Sequence, residues 1–414
     1  MKNWVFYIVF GAILASCAKD KGVPTLKTGT WHATIGIQGK ALPFGLEVVN
    51  DASGGYDFYI RNAEEKLLLD EVTVTGDSVN IALHVFDANI KAKINDDGLE
   101  GAFIKNYDPS YKYPFNATFG YAPRFGKNAA PSTPPDFTGK YDVIFRHDQD
   151  TTISVGIFKQ DGDSVTGTFL TITGDYRYLE GNVIGDTLHL SAFDGNHAYI
   201  FTGVKNTDGT LSGDYYSGKA SHETWTAVKN DQAALPDAEK LTYLKPGFDK
   251  IEFSFPDVNG KKISLADEKY KNKVVILQIS GSWCPNCMDE TKFLAPWYIE
   301  NKSRGVEIIG LAYERKPEFE YARDRVNKMV NKFKIPYDYV IAGVNDKSKA
   351  AETLPMLNTV IAFPTTIFIG KDGSVKKIHT GFSGPGTGIY YQQFIDAFNK
   401  TVDELVNERT KKPS

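Results

Sequence analysis

The residues of this chain whose type and spacing can do chemistry are two cysteines, Cys284 and Cys287, separated by Pro285 and Asn286. A thiolate attacks a disulfide through a mixed-disulfide intermediate, and a second thiol nearby can then displace the bound half. The pair follows a near-continuous apolar run, Val274–Val275–Ile276–Leu277–Gln278–Ile279, as expected of a strand buried on both faces. It precedes a stretch from Met288 to Ile299 that reads as a helix, with a bend expected at Pro296. A cysteine where a strand turns into a helix faces unpaired N–H groups and the positive end of the helix dipole, which favour thiolate over thiol. Pro285 suits the first turn, where no N–H is needed. This predicts Cys284 as the attacking thiol and Cys287 as the resolving one.

Other uses of such a pair fit less well. A structural zinc site needs two further ligands, and the seven histidines form no spaced pair. Haem attachment needs His directly after the second Cys, and position 288 is Met. Ser280–Gly281–Ser282–Trp283 before the motif is not the Pro- and Thr-containing context of a peroxidatic cysteine. An inert disulfide stays open, although a bridge across two residues staples little of a fold this size. No metal and no cofactor is expected.

The third cysteine, Cys17, belongs to a different signal. Lys2 is followed by an apolar stretch from Trp4 to Ala15, too short for a bilayer, which takes about 20 residues. Leu14–Ala15–Ser16–Cys17 then resembles a bacterial lipobox, with cleavage before a lipidated Cys17. The expectation is a signal peptide over 1–16, a tether over 17–28 and a lipid anchor in the cell envelope facing the periplasm, a compartment that sustains disulfides. Which membrane holds it is not legible.

The elements that position the dithiol occupy the end of a chain of 414 residues with a formal net charge of −4, which gives no electrostatic case for nucleic acid. From 29 to 122 and from 138 to 229, short alternating runs and Gly/Asp turns predict two antiparallel all-β, meander or barrel-like units. They read as a repeat. Gly29–Thr30–Trp31, Gly76–Asp77–Ser78–Val79 and Gly98–Leu99–Glu100–Gly101 have counterparts in Gly139–Lys140–Tyr141, Gly185–Asp186–Thr187–Leu188 and Gly209–Thr210–Leu211–Ser212–Gly213, about 110 residues on. Tyr176–Arg177–Tyr178 and Asp214–Tyr215–Tyr216 read as sheet core rather than a ligand face. Linkers are expected over 123–137 and 230–247. From 248 to 410, buried strands alternate with helices (Glu318–Phe333, Lys347–Met356, Tyr390–Asn407) and a hairpin at Lys371–Asp372–Gly373, an α/β layer fold.

Residues 246–410 resemble the thioredoxin-fold thiol–disulfide oxidoreductases of the TlpA/ResA group. The resemblance is carried by Phe253–Ser254–Phe255–Pro256–Asp257–Val258–Asn259–Gly260–Lys261, the strand and motif up to Cys287, Gly305–Val306–Glu307–Ile308–Ile309, and Phe363–Pro364–Thr365–Thr366. It implies that Pro364 is a cis-proline beside the dithiol, on a loop that holds a substrate backbone. Trp283, Pro285 and Phe363, which flank these positions, are the residues expected to meet substrate. Two departures from ordinary thioredoxins follow. Gln278 stands where they carry a buried Asp, and Glu290 occupies the position of a Glu characteristic of the ResA-like group. Glu290 would raise the thiol pKa values or act as base for Cys287, against the alternative of a solvated helix residue beside Asp289.

The expected activity is reduction of disulfides in exported proteins, recharged by a membrane electron donor. A disulfide oxidase or isomerase is the second reading, and a ligand- or partner-binding β module with an accessory thioredoxin domain the third.

Overall fold

A computed structural model describes residues 25–83, 85–127 and 134–408; the expected signal peptide and lipidated Cys17 lie outside them. The β-rich half forms two nine-stranded antiparallel sheets, one from Gly29–Ile37 to Lys112–Phe119, the other from Gly139–His147 to Ser221–Lys229. Alternation makes them one-sided: in the first strand Trp31, Ala33, Ile35 and Ile37 are buried and the residues between them are not. The paired Gly–Asp turns have a shared physical cause. Gly76 and Gly185 both take a left-handed φ, +57° and +65°, between consecutive strands, a conformation open to Gly at no Cβ cost.

The two sheets differ in closure. In the second, Asp150–Asp161 pairs with both Gly139–His147 and Ser164–Thr171, which closes the sheet on itself. Its interior is filled by Phe145, Phe158, Phe169, Phe201 and Trp225. In the first, Glu65–Leu69 and Val72–Thr75 are the two ends of the sheet order.

The C-terminal part is a five-stranded mixed sheet with helices α1 (Pro285–Asn301), α2 (Phe319–Phe333), α3 (Lys347–Thr353) and α4 (Ile389–Asn407). Its strand order is Asp338–Val344, Val306–Glu314, Val274–Ser280, Thr365–Ile369, Val375–Thr380; the first three run parallel, and Thr365–Ile369 is antiparallel to both of its neighbours. All seven residues of Val274–Ser280 are buried, which accounts for the near-continuous apolar run. Helix α1 starts at Pro285, earlier than the pattern suggested, because Cys284 caps it, and it continues past Pro296 to Asn301. Helix α3 ends at Thr353, short of Met356, because Leu354 precedes Pro355 and a residue before proline disfavours helix. Among the described residues no helix is long and apolar enough to cross a membrane.

Candidate active site

The central strand Val274–Ser280 delivers the chain to the turn Gly281–Trp283, and α1 carries it away, so Cys284 sits at a helix N-terminus. Cys284 and Cys287 form a disulfide. The Cys287 N–H donates to Cys284 Sγ at 3.1 Å, the interaction that would hold a thiolate there. The Phe363–Pro364 peptide is cis, and the Phe363 carbonyl oxygen lies 3.3 Å from Cys284 Sγ. Trp283 packs edge-on against Phe363, ring centroids 5.6 Å apart, with its indole N–H donating to the Tyr313 carbonyl at 2.8 Å. The structure thus brings together Trp283, Cys284, Pro285, Cys287, Phe363 and Pro364.

Glu290 is fully buried, on α1 three residues beyond Cys287, which removes the solvated-surface alternative. Thr366 donates to its Oε1, and Gln278 Nε2 donates to its Oε2 at 2.8 Å. Gln278, the departure from ordinary thioredoxins, is therefore the partner of Glu290, and its own carbonyl oxygen accepts from Tyr339 at 3.0 Å. Burial pushes the Glu290 pKa up to about 7, against the lowering effect of the two hydrogen bonds. A carboxyl that changes charge near neutral pH, one turn from the resolving thiol, is suited to moving a proton there.

A second buried carboxyl lies under the approach to the motif. Glu314 accepts from the Ser282 N–H and the Ser282 hydroxyl, both at 2.8 Å, and burial raises its pKa to about 7. It fixes the backbone two residues before Cys284. The sequence offered no local sign of this role, since Ser282 and Glu314 sit on separate segments.

The dithiol face is also covered by the second β unit. Arg177, buried and at φ +57°, donates to the Pro285 carbonyl at 3.2 Å and bonds to both Asp289 of α1 and Glu65 of the first β unit, with Asp194 at 3.8 Å from its Nε. Asn286 Nδ2 donates to the Asp175 carbonyl at 3.3 Å, and the Gly384 N–H donates to Asp175 Oδ2 at 2.7 Å. Desolvation in this interface raises the Asp175 pKa to about 6. Asn196 donates to the Trp283 carbonyl at 3.0 Å and accepts from Arg315 at 3.1 Å. Cys284, 5% exposed, consequently opens into a cavity of about 580 Å³ between the β unit and the motif. Arg177 lay in a stretch read as sheet core. Its only sequence signal was a charge between two tyrosines.

A dithiol at a helix N-terminus, on the central strand of a mixed sheet and facing a cis-proline loop, defines a thioredoxin-fold thiol–disulfide oxidoreductase. The family model described as Redoxin matches residues 232–392. Thiol-disulfide oxidoreductase ResA of Bacillus subtilis (strain 168) is 29% identical over 138 residues, covering 33% of this chain and 69% of that protein. The ResA of Bacillus thuringiensis subsp. konkukian (strain 97-27) is 33% identical over 132 residues, 32% of this chain and 68% of that one. Among solved structures, a thiol-disulfide oxidoreductase from Bacteroides fragilis NCTC 9343 aligns with 36% of this chain and 99% of its own at 18% identity and a TM-score of 0.28. Through its C-terminal part, the chain belongs to the ResA-like family of thiol–disulfide oxidoreductases.

Proposed function

We propose that the chain reduces disulfides of exported proteins, with Cys284 attacking and Cys287 resolving. The reduced pair attacks a substrate disulfide, and one substrate thiol leaves. Cys287 then displaces the second as the Cys284–Cys287 bond forms, so two electrons pass to the substrate. A membrane electron donor restores the dithiol. Trp283, Pro285 and Phe363 contact the substrate, and Pro364 shapes the loop that holds it. The protein is tethered by lipid on Cys17 and faces the periplasm.

The observation that carries the reducing direction is the buried Glu290. Once ionised, above about pH 7, the Glu290 carboxylate repels a standing thiolate on the pair even though it can accept the Cys287 proton during resolution, whereas strongly oxidising members of such chemistry stabilise their reduced form. Arg177, which touches the Pro285 carbonyl, is paired with carboxylates and offers little net charge to a thiolate. Insulin reduction by the purified full chain, together with a redox titration, tests this. A potential near about −270 mV is expected, and one near about −120 mV would establish the oxidase or isomerase reading instead. The cavity facing Cys284 favours a further role for the second β unit in binding the substrate.

A further inference from the structure

The wall opposite Cys284 is aromatic. Tyr176, Tyr199 and Tyr215 stand at the open end of the second β barrel, with ring centroids 5.1 Å (Tyr176–Tyr199), 5.3 Å (Tyr176–Tyr215) and 5.8 Å (Tyr199–Tyr215) apart. Phe145, Phe169 and Phe201 close the barrel beneath them. Tyr215 is buried, while Tyr176 and Tyr199 are half-buried and line the cavity. Trp283 and Phe363 form the near wall beside the sulfur. A cavity of about 580 Å³ lies inside the range of roughly 300–1,000 Å³ typical of specific binding pockets. Asp175 and Glu223 from the β unit and Lys347 at the start of α3 put both signs of charge on its lining, so it presents no single sign for a charged substrate. Beside threonines, the aromatic rings of Tyr176, Tyr199, Tyr215, Trp283 and Phe363 are its largest apolar surface, and flat rings pack edge-to-face in such settings.

Access is restricted. The bonds from Arg177 to Pro285 and from Asn286 and Gly384 to Asp175 hold the β wall directly against the motif.

We propose that the mouth of the second β barrel is a specificity subsite, which seats an aromatic side chain next to the substrate cysteine while an extended segment lies across Cys284. The proposal rests on the dithiol-exchange reading above. In the exchange the Cys284 thiolate forms a bond to the substrate sulfur and the substrate S–S bond breaks. The released half leaves as a thiolate and takes a proton from solvent. Cys287 then displaces the other half, and dithiothreitol supplies the two electrons that reset the pair in an assay.

The test uses the full chain and short peptides that carry one cysteine in a mixed disulfide with a chromogenic aryl thiol. The peptides differ only in having Phe, Leu or Gly beside the cysteine. The expected result is a kcat/KM about tenfold or more higher for Phe than for Gly, expressed mainly in KM. Tyr199→Ala flattens the preference, and Tyr199→Trp, which fills the mouth, turns it toward Gly. Equal turnover of the three peptides by the wild type, or a preference unchanged in both folded variants, overturns the subsite and leaves the dithiol chemistry standing. A wild type that reduces none of the peptides overturns both.

Discussion

Arg177 donates a hydrogen bond to the carbonyl oxygen of Pro285 at 3.2 Å, so a side chain of the second β unit touches the backbone between the two cysteines. The same guanidinium binds Asp289 and Glu65, and thereby joins three parts of the chain at the motif. Buried charges persist only when paired, and removal of one partner strands the others.

Arg177→Met is therefore expected to destabilise the chain by about 3–5 kcal/mol, because Glu65, Asp194 and Asp289 lose a shared counter-charge. Chemical denaturation followed by fluorescence measures this. A loss below about 1 kcal/mol would mean that the cluster contributes little.

Gly174 packs against the Asn286 side chain of the motif. A Cβ there would lie 2.2 Å from Asn286 Nδ2, at a φ of +146° that side chains rarely adopt. Gly174→Ala is expected to turn the Asn286 amide away, break its bond to the Asp175 carbonyl and so speed alkylation of reduced Cys284 several-fold. Mass spectrometry after a timed iodoacetamide pulse reads the rate, and an unchanged rate would contradict the close packing.

Glu290 gives a pH prediction for stability. Its pKa rises from 4.5 to about 7 on folding. Below 4.5 both states hold the proton and there is no penalty. Between 4.5 and about 7 the unfolded chain has released it and the folded chain has not, so stability falls as pH rises; above about 7 the loss is constant, at about 3 kcal/mol. Glu290→Gln carries no such group, so its stability relative to the wild type is expected to climb through that window and then level off. Glu314, also raised to about 7, remains in both proteins and leaves the difference intact. Parallel denaturation series at pH 4 and pH 8 check it.

The same carboxyl predicts a pH profile for catalysis. If Glu290 takes the proton of Cys287, resolution of the mixed disulfide speeds up as pH rises through about 7. Glu290→Gln is then expected to lose that inflection and to slow resolution by about 100-fold. Single-turnover kinetics from pH 5.5 to about 8.5 separate this from a slowed first attack, and an unchanged inflection would assign it to another group.

Much of this was legible locally. The apolar run before Trp283, Pro285 after Cys284 and the helix pattern beyond it each depend on neighbours in sequence, and together they placed the dithiol. The β repeat showed through Gly76 and Gly185, because a left-handed turn constrains residue type directly. The Arg177 clamp and the Ser282–Glu314 pair were not legible, since their partners lie on distant segments and an arginine or glutamate carries no mark of where it will be buried. Glu290 was legible as a carboxyl acting on the thiols only through the resemblance, while its neighbour Asp289 read as a plain surface acid. Folding separates them, with Asp289 turned to the β unit and Glu290 to Gln278 and Thr366. Helix α1 starts at Pro285, as its fit to the first turn implied, although the apolar pattern alone began only at Met288.

The most direct test of the central claim is covalent trapping. Reduced full-length Cys287→Ser protein, mixed with insulin, is expected to accumulate a mixed disulfide through Cys284 that is visible by non-reducing electrophoresis and mapped by mass spectrometry. The Cys284→Ser protein is expected to form none and to reduce no insulin. Trapping by Cys284→Ser, or insulin reduction retained by both variants, would contradict the assignment of Cys284 as the attacking thiol.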